Sequence, residues 1–412
     1  MDKPLKGIKV LDLSAFVAAP CTGRFLADLG AEVIKIERNS GDTWRYTGIS
    51  YLPTRFTHEE NPVFDIYNTG KKLISLNLKT PEGMEVFNKL LDQSDIFITN
   101  TRKPALERLG ISYEQVKEKH PRLIYAMVTG YGDKGPDSSM PAFDTTSFWS
   151  RCGMLRDMSV VSKGNKFYPI YPPAGVGDSV TAFVLLSQIN AALFQRERTG
   201  KGQFMEASLF HTGIFSFGTM IIANQRPWGR QYPTTRTGHS CPGGFYECSD
   251  GEWVYIGTSM VNVLLKQMCT VTGRLDLLED ERFNTLSSIR EHKEELYEIF
   301  RAEFLKKPSE EWLKIAKEND FALAKMKSFS EVCEDEQAWA NDFLEHVEFP
   351  NGAVDVMPSS PFHMESLSGL KTTPAGAVGQ HTAEILSSLG YTKEQIEELE
   401  NKGITSVNLI NK

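Results

Sequence analysis

One carboxylate stands out by its surroundings: Asp178, which follows the segment PPAGVG at residues 172–177. The two prolines stiffen the approach, and the two glycines let the backbone turn tightly. An apolar run over 182–194 follows and predicts a helix. Asp178 is thus expected at or just before a helix N-terminus, where free N–H groups can face a carboxylate, an oxyanion or a mixed anhydride. The simpler alternative is that Asp178 only caps the helix.

The elements that must position such a group begin with a strand–helix–strand unit. The pattern predicts a buried strand over 7–13, a helix over 18–29 and a second strand over 30–37. A unit of this size makes the sheet parallel and places a ligand at the carboxyl ends of the strands. Because no G-x-G-x-x-G follows the first strand, the alternative of an NAD-binding dehydrogenase is weakened.

The same alternation continues along the chain. Strands are predicted over 74–78, 95–99 and 123–128, with helices over 81–91, 106–109 and 113–119. Polar or basic residues follow successive strands of this part: Arg38, Lys79, Asn100 and Arg102. Cations gathered at one edge of a parallel sheet suit a ligand with phosphates, whereas each one taken alone could be a solvated surface charge.

The later part of the chain predicts a second, smaller domain. A linker is expected over 224–240, followed by a hairpin over 245–257 with a D-G turn and by helices over 261–272 and 287–304. Terminal helices over 382–389 and 392–402 should pack on the first sheet. The predicted fold is therefore α/β, with a Rossmann-like parallel sheet in a large domain of residues 1–224 and 331–412, and a small α+β domain of residues 225–330.

Composition narrows the classes of function. The 412 residues are 41% apolar and 24% charged, which is typical of a soluble globular protein. A formal net charge of −8 argues against nucleic acid or an anionic membrane as the main partner. No apolar run is long enough to span a bilayer and no signal peptide opens the chain, so we expect a cytoplasmic protein. The six cysteines form no CxxC pair, and neither a metal site nor a disulfide framework is expected.

Several motifs, in the right order, resemble the family III CoA-transferases, the formyl-CoA transferase and carnitine-CoA transferase type. The segments that carry this resemblance span nearly the whole chain and are PLKGIKVLD at 4–12, LGAEVIKIER at 29–38, KLISLNLK at 72–79, PRLIY at 121–125, GYGDKGP at 130–136, Gly177–Asp178, RTGKGQ at 198–203 and GQHTAEIL at 379–386.

The resemblance implies a role for individual residues. Asp178 would be the catalytic nucleophile, which attacks an acyl-CoA thioester and carries CoA through a covalent aspartyl intermediate. By the same resemblance, the residues that bind CoA would be Arg38, Leu76, Lys79, Asn100 and Arg108. The CoA thioester is then a substrate, and no permanently bound cofactor is expected. The resemblance also implies an obligate homodimer of two interlocked chains.

The chain departs from some members of the family. Phe16 and Val17 occupy positions that flank the active site of formyl-CoA transferase, where Val17 replaces a polar residue, so oxalate and formate are not the expected substrates. Phe143 stands where the related acyl-CoA racemases have a histidine, and phenylalanine cannot transfer a proton. Asp144 is either a second carboxylate of the site or a cap for the helix that follows it.

For the substrate, the resemblance is to members that move CoA between 2-hydroxy acids and enoyl-CoA or acyl-CoA in amino-acid fermentation. We expect (R)-2-hydroxyisocaproate and isocaprenoyl-CoA, from leucine, with phenyllactate and cinnamoyl-CoA, or a carnitine-type reaction, as alternatives. A racemase and a non-catalytic CoA-binding protein are the more distant alternatives. The expected apolar pocket for the acyl group consists of Phe16, Val17, Phe143, Phe148 and Trp149.

Overall fold

The computed structural model describes residues 2–51, 56–57, 60–161, 167–225, 241–257 and 260–406. These residues form two compact units. The first unit comprises the described residues within 1–159, 168–234 and 336–412, and the second unit comprises those within 160–167 and 235–335. Most of the predicted linker, at 226–240, lies outside the described residues. The boundaries differ slightly from the predicted domain limits, 224/225 and 330/331, and the domain division at those limits stays a prediction.

The described strands, in chain order, are β1 (Lys9–Leu13), β2 (Glu32–Glu37), β3 (Lys72–Ser75), β4 (Ile96–Thr99), β5 (Ile124–Thr129), β6 (Val160–Val161), β7 (Phe167–Tyr168), β8 (Phe204–Ser208), β9 (Gly244–Glu247), β10 (Trp253–Ile256), β11 (Leu323–Lys325), β12 (Leu344–Glu348) and β13 (Val354–Pro358).

The described α-helices are α1 (Ala18–Asp28), α2 (Thr43–Thr47), α3 (Pro62–Asp65), α4 (Pro81–Leu91), α5 (Lys103–Leu109), α6 (Tyr113–Val116), α7 (Met154–Met158), α8 (Val176–Thr199), α9 (Leu209–Ser216), α10 (Gly218–Ala223), α11 (Val261–Thr272), α12 (Leu286–Glu291), α13 (Lys293–Phe304), α14 (Ser309–Glu318), α15 (Phe329–Cys333), α16 (Glu336–Ala340), α17 (Thr382–Ser388) and α18 (Lys393–Asn401). Short 3-10 helices lie at Gly48–Tyr51, Leu275–Leu278 and Glu365–Leu367, and a π-helix lies at Asp144–Ser150.

The first unit is built on a six-stranded sheet with the order β3-β2-β1-β4-β5-β8. Every neighbouring pair in it is parallel, and Leu11 in β1 pairs with Ile34 on one side and Phe97 on the other. This confirms the predicted parallel sheet of the α/β fold. The strand order reverses between β1 and β4, which is the topological switch point where open α/β sheets bind ligands.

Helices cover both faces of this sheet because its strands carry apolar side chains on both sides. In β1, Val10 packs with α1 and α8 on one face, whereas Leu11 packs with α4 on the other. Helices α17 and α18 join the second face, as predicted, through Ile385 and Ile396. By length and composition alone, α8 could cross a membrane. The core helix of a soluble protein meets the same criterion, and α8 buries residues such as Leu185 and Ile189 against the sheet.

The second unit has its own small sheet and core. Strands β9 and β10 form the predicted antiparallel hairpin, and β11 extends it on the other side of β10. Helices α11, α13 and α14 enclose a core in which Tyr246 stacks on Tyr297 and Phe304. The described residues of this unit are therefore of mixed helix and antiparallel strand, as the pattern predicts for a small α+β domain.

Some predicted boundaries are wrong. The apolar residues over 208–223 indicate a single helix, but it is interrupted at Phe217, between α9 and α10. The helix predicted over 287–304 is interrupted at His292. The hairpin of β12 and β13 was not predicted, although its Asn351–Gly352 turn carries a hairpin signal and Gly352 has a φ of +80°. Helix α8 starts at Val176, earlier than the apolar run over 182–194 indicates, and Asp178 lies in its first turn, at the helix N-terminus as expected.

Candidate active site

Asp178 is placed by the glycine turn that precedes it. Gly175 has a φ of +77°, a conformation that costs glycine little, and α8 starts at the next residue. The half-buried carboxyl of Asp178 is in the first turn. Burial raises its pKa to about 7, and the negative charge of Asp144 adds to that increase. At neutral pH the carboxyl is thus near its midpoint, with a substantial ionised fraction available as a nucleophile.

Asp144 is the second carboxylate of this site. It is 6% exposed, and its Oδ2 accepts a hydrogen bond from the N–H of Gly175 at 3.0 Å. Oδ1 has no hydrogen-bond partner among the described residues, and burial raises the pKa of this carboxyl. A Cβ at Gly177 would overlap Oδ1 of Asp144 and the ring of Phe148. Of the two interpretations from sequence, the second carboxylate of the site is therefore the one that fits these contacts.

Tyr67 and Cys21 also lie near Asp178, and neither was found by sequence reasoning. The hydroxyl of Tyr67 is 3.2 Å from the position that a Cβ of Gly175 would take. Burial raises the pKa of the Cys21 thiol to about 12, so this thiol is protonated at neutral pH and does not compete as a nucleophile. Neither residue belongs to a motif with a known spacing, so no sequence signal pointed to them.

The loop after β1 lies at the switch point of the sheet. Asn100, which directly follows β4, accepts a hydrogen bond from Ala15 N–H at 3.0 Å and donates one to Ala15 O at 2.6 Å. Phe16 has a φ of +65°, and a methyl of Val17 lies 3.9 Å from the Cβ position of Gly175. The loop of residues 14–17, called the β1 loop below, is therefore next to the turn that carries Asp178.

The other predicted CoA-binding residues lie at the same sheet edge or beside it. Arg38 follows β2 and Lys79 follows β3, and both are exposed. Their side chains make no hydrogen bond or ion pair within the described ranges. Leu76 is 3% exposed and bonds through its N–H to Glu37 O at 2.9 Å, and Arg108 is exposed in the last turn of α5. The cations are thus available to an anionic ligand, whereas the side-chain amide of Asn100 is already bonded to Ala15.

The aromatic residues of the predicted acyl pocket separate into two groups. Phe16 and Phe143 meet edge to face with ring centroids 5.5 Å apart, and Phe143 is 53% exposed. Phe148 and Trp149 are instead buried with Leu209 in an apolar cluster. The prediction that these two line the pocket is therefore not supported, because both side chains are buried in this cluster and the ring of Phe148 packs against Gly177.

No group of three His, Cys, Asp or Glu side chains that could hold a metal ion is found in the described part of the chain. The site thus offers a nucleophilic carboxylate at a helix N-terminus and free cations at the edge of a Rossmann-like sheet. These are the components of an acyl-transfer site for a substrate that carries phosphates.

Comparison with known proteins agrees with this class of site. The sequence model described as CoA-transferase family III matches residues 5–382, and the chain belongs to that family. It is 40% identical over 97% of its length to the (R)-2-hydroxy-4-methylpentanoate CoA-transferase of Clostridioides difficile, of which it covers 99%. It is 36% identical over 96% of its length to the cinnamoyl-CoA:phenyllactate CoA-transferase of Clostridium sporogenes, of which it covers 95%.

A solved structure of a CAIB/BAIF family protein from Brucella suis also resembles the chain, with a TM-score of 0.76 and 25% sequence identity. The likeness covers 94% of this chain and the whole of the other. The protein is therefore a CoA-transferase, an enzyme that uses CoA thioesters as substrates, and its relatives confirm the expected 2-hydroxyacyl-CoA chemistry at the level of the class.

Proposed function

We propose that this enzyme transfers CoA from an acyl-CoA or enoyl-CoA to a 2-hydroxy acid, with (R)-2-hydroxyisocaproate and isocaprenoyl-CoA as the physiological pair in leucine fermentation. The likeness to the Clostridioides difficile enzyme supports the choice of acid. The observation that carries the mechanism is the half-buried Asp178 in the first turn of α8, whose carboxyl titrates near neutral pH.

In the first half-reaction, an oxygen of the Asp178 carboxylate attacks the thioester carbonyl carbon. The C–S bond breaks, CoA leaves as a thiolate, and a mixed anhydride remains on the enzyme. The thiolate then attacks the aspartyl carbonyl of this anhydride, which releases the first acid as a carboxylate and leaves an aspartyl-CoA thioester. Free N–H groups at the N-terminus of α8 can stabilise the oxyanion in each step.

In the second half-reaction, the carboxylate of the 2-hydroxy acid attacks the aspartyl thioester and expels the CoA thiolate. The thiolate then attacks the acyl carbonyl of the new mixed anhydride. This forms the new acyl-CoA and regenerates the Asp178 carboxylate, so that no ATP is consumed. The covalent intermediates thus divide the direct exchange of CoA between two acids into a series of easier acyl transfers.

For CoA itself, we propose that Arg38, Lys79 and Arg108 contact the phosphates, with Leu76 against the nucleotide. The exposure of the three cations supports this role. The resemblance to the family also implies that Asn100 contacts CoA, and this contact stays a prediction.

The second candidate acid is phenyllactate. The edge-to-face pair of Phe16 and Phe143 favours an apolar side chain in general, and it is compatible with both a branched and an aromatic acid. Racemisation is the less favoured chemistry, because Phe143 occupies the position of the proton-transfer histidine. Incubation of an acyl-CoA in deuterated water tests this point, since a transferase leaves the α-hydrogen of the acyl group in place.

We also propose that two copies of the chain form an interlocked dimer in the cytoplasm. Large apolar side chains on α8, α9 and α10 are exposed, among them Phe194 at 62%, Phe215 at 85% and Ile222 at 56%. A second copy of the chain is the occupant that would bury them. Light scattering across a dilution series tests this proposal, with a dimer expected at all concentrations.

Trapping the intermediate tests the catalytic proposal. The enzyme is incubated with an acyl-CoA, treated with borohydride, which reduces an aspartyl thioester to an alcohol, and digested for mass spectrometry. The mass change is expected on the peptide that contains Asp178 and is expected to be absent in Asp178→Ala. A folded Asp178→Ala enzyme with near wild-type turnover would rule out this nucleophile.

A further inference from the structure

The β1 loop holds an aromatic residue in a backbone conformation that side chains disfavour. Phe16 has a φ of +65°, in the left-handed region where a Cβ is crowded and where glycine is the usual residue. Such a conformation persists only where the surrounding structure imposes it, and it is found mainly at functional sites. Hydrogen bonds to the backbone of this loop hold Phe16 in that conformation, and the contacts of its ring indicate a role for it.

Three side chains from outside the loop bind its backbone. The ammonium of Lys35 donates to Ser14 O at 2.7 Å, and the amide of Asn100 bonds both polar groups of Ala15. Phe16 N–H donates to Oδ1 of Asp42 at 3.1 Å. Lys35 and Asp42 are themselves a buried ion pair at 2.9 Å, so that two of the three anchors fix each other.

The ring that this backbone presents faces Phe143 rather than the core. The two rings are edge to face, and each belongs to a residue next to one that touches Gly175. Val17, after Phe16, approaches the Cβ position of Gly175, and Asp144, after Phe143, accepts the hydrogen bond from its N–H. The two rings thus form one aromatic pair, held next to the turn that starts the helix of Asp178 by the residue that follows each ring in the sequence.

We propose that Phe16 and Phe143 are the specificity-determining pair for the side chain of the acyl group, and that Asn100 and Asp42 are positioning residues that hold Phe16 in place. The proposal deepens the proposed function and rests on it. The half-exposed ring of Phe143 and the partly buried ring of Phe16, next to the turn that carries the nucleophile, give a branched or aromatic side chain an apolar surface. A short acid such as lactate gains nothing from them.

The first experiment compares Phe16→Gly with the wild type. Because transfer is ping-pong, kcat/KM for the acceptor acid reports the second half-reaction alone, with one acyl-CoA donor used throughout. The ratio of kcat/KM for (R)-2-hydroxyisocaproate to that for (R)-lactate is expected to fall roughly tenfold or more. Thermal stability is expected to stay equal or rise, because glycine adopts a positive φ without crowding.

Phe143→Ala is expected to lower the same ratio, and Phe329→Ala serves as the matched control. Phe329 is an aromatic residue of the second unit that is 87% exposed, and its removal should leave the ratio unchanged. A wild-type ratio in both Phe16→Gly and Phe143→Ala would overturn the proposal while leaving the transferase function intact. A wild-type enzyme that moves CoA to neither acid would instead refute the proposed function, and the specificity role with it.

Asn100→Ala separates a positioning role from a direct contact with CoA. If Asn100 acts through Phe16, the ratio of kcat/KM for (R)-2-hydroxyisocaproate to that for (R)-lactate falls in Asn100→Ala. KM for the acyl-CoA donor then stays close to the wild-type value. Adding Asn100→Ala to Phe16→Gly then causes no further fall in the ratio, since the two changes remove one effect. A raised donor KM with an unchanged acid ratio would assign Asn100 to CoA and reject its positioning role.

Discussion

The two units of this protein use charged residues in opposite ways. The first unit buries whole ion pairs: Lys35 with Asp42, and Lys71 with Asp12, each at 2.9 Å and with both side chains at most 1% exposed. In the second unit, Arg282 pairs with Asp280 and Glu295 at the surface. Surface pairs contribute little to stability, and buried pairs repay their desolvation only in part. The buried pairs therefore call for an explanation other than net stability.

Their position supplies that explanation. Lys35 donates to Ser14 O, before the β1 loop reaches Phe16, and Lys71 donates to Pro20 O at 2.8 Å, after the loop has entered α1. The two buried lysines thus hold the chain on both sides of the β1 loop. The second unit has surface pairs where its described helices meet solvent, and no candidate catalytic residue lies in it. These two buried lysines of the first unit therefore fix the backbone that the proposed site needs.

The largest expected effect comes from breaking a buried pair. Lys35→Met leaves the carboxylate of Asp42 buried without its cation, and we expect a loss of about 3–5 kcal/mol in the free energy of unfolding. Arg282→Met is the matched control at the surface, with an expected loss of about 1 kcal/mol or less. Urea unfolding of both variants measures the comparison. Equal losses would show that the buried pair of the first unit and the surface pair of the second contribute the same to stability.

Asp178 differs from these buried ion pairs, because burial disfavours the charged form of its carboxyl and no cation of the described residues compensates for it. Its pKa of about 7 lies above the ordinary 3.8, so ionisation costs the folded state stability as the pH rises from about 4 through 7. Asp178→Asn removes this cost. A shift of this size corresponds to about 4 kcal/mol in a fully buried site, and we expect roughly half of that here because the side chain is partly exposed.

The measurement is the free energy of unfolding of both proteins at pH 3.5 and pH 8. The advantage of Asp178→Asn should be full at pH 8 and small at pH 3.5, where the carboxyl of the wild type is mostly protonated in the unfolded chain as well as in the folded one. A pH-independent difference between the two proteins would contradict the assigned pKa.

Asp144 should influence Asp178 through its charge. The groups that face Asp178 from the elements around it are Asp144, the Tyr67 hydroxyl and the Cys21 thiol, and of these Asp144 is the one whose negative charge raises the pKa of Asp178. Asp144→Asn keeps an acceptor for Gly175 N–H and removes the charge, so the pKa of Asp178 should fall. The acidic limb of kcat/KM for acyl-CoA is expected to move to lower pH. Glu206→Gln, which removes a half-buried carboxylate that does not act on Asp178, should leave that limb in place.

The sequence predicted the sheet well because its signals are local. Buried strands such as β1 and β2 are short apolar runs, and Pro81–Leu91 has a proline in its first turn and an apolar face, so both ends of α4 were predicted at the right residues. The interruption at Phe217 was missed although Gly218 directly follows it, because apolar residues continue on both sides and a single glycine is tolerated inside a helical pattern.

The site could be predicted only in part. The two glycines before Asp178 indicated the turn, and the placement of Arg38 and Lys79 after strands indicated a shared edge. The contacts of Asn100 with Ala15, of Asp42 with Phe16 and of Tyr67 with the Gly175 turn join residues distant in sequence. No periodicity or spacing encodes such contacts, because they depend on how the strands are ordered in the sheet.

The smallest expected effect concerns the exposed cations at the edge of the sheet, Arg38 and Lys79, which contrast with the buried Lys35 and Lys71. Arg38→Ala and Lys79→Ala should each raise KM for acyl-CoA roughly fivefold at low salt, corresponding to about 1 kcal/mol for an exposed charge pair. The increase should shrink toward the wild-type value in 0.5 M salt, because ions screen exposed phosphate contacts.

Lys266→Ala, an exposed cation of the second unit, is the control and should not change KM at either salt concentration. The free energy of unfolding should stay unchanged in all three variants, because these side chains make no hydrogen bond or ion pair with the described residues. A KM increase that is independent of salt would mean that Arg38 and Lys79 act on the fold of the edge and not on the phosphates of CoA.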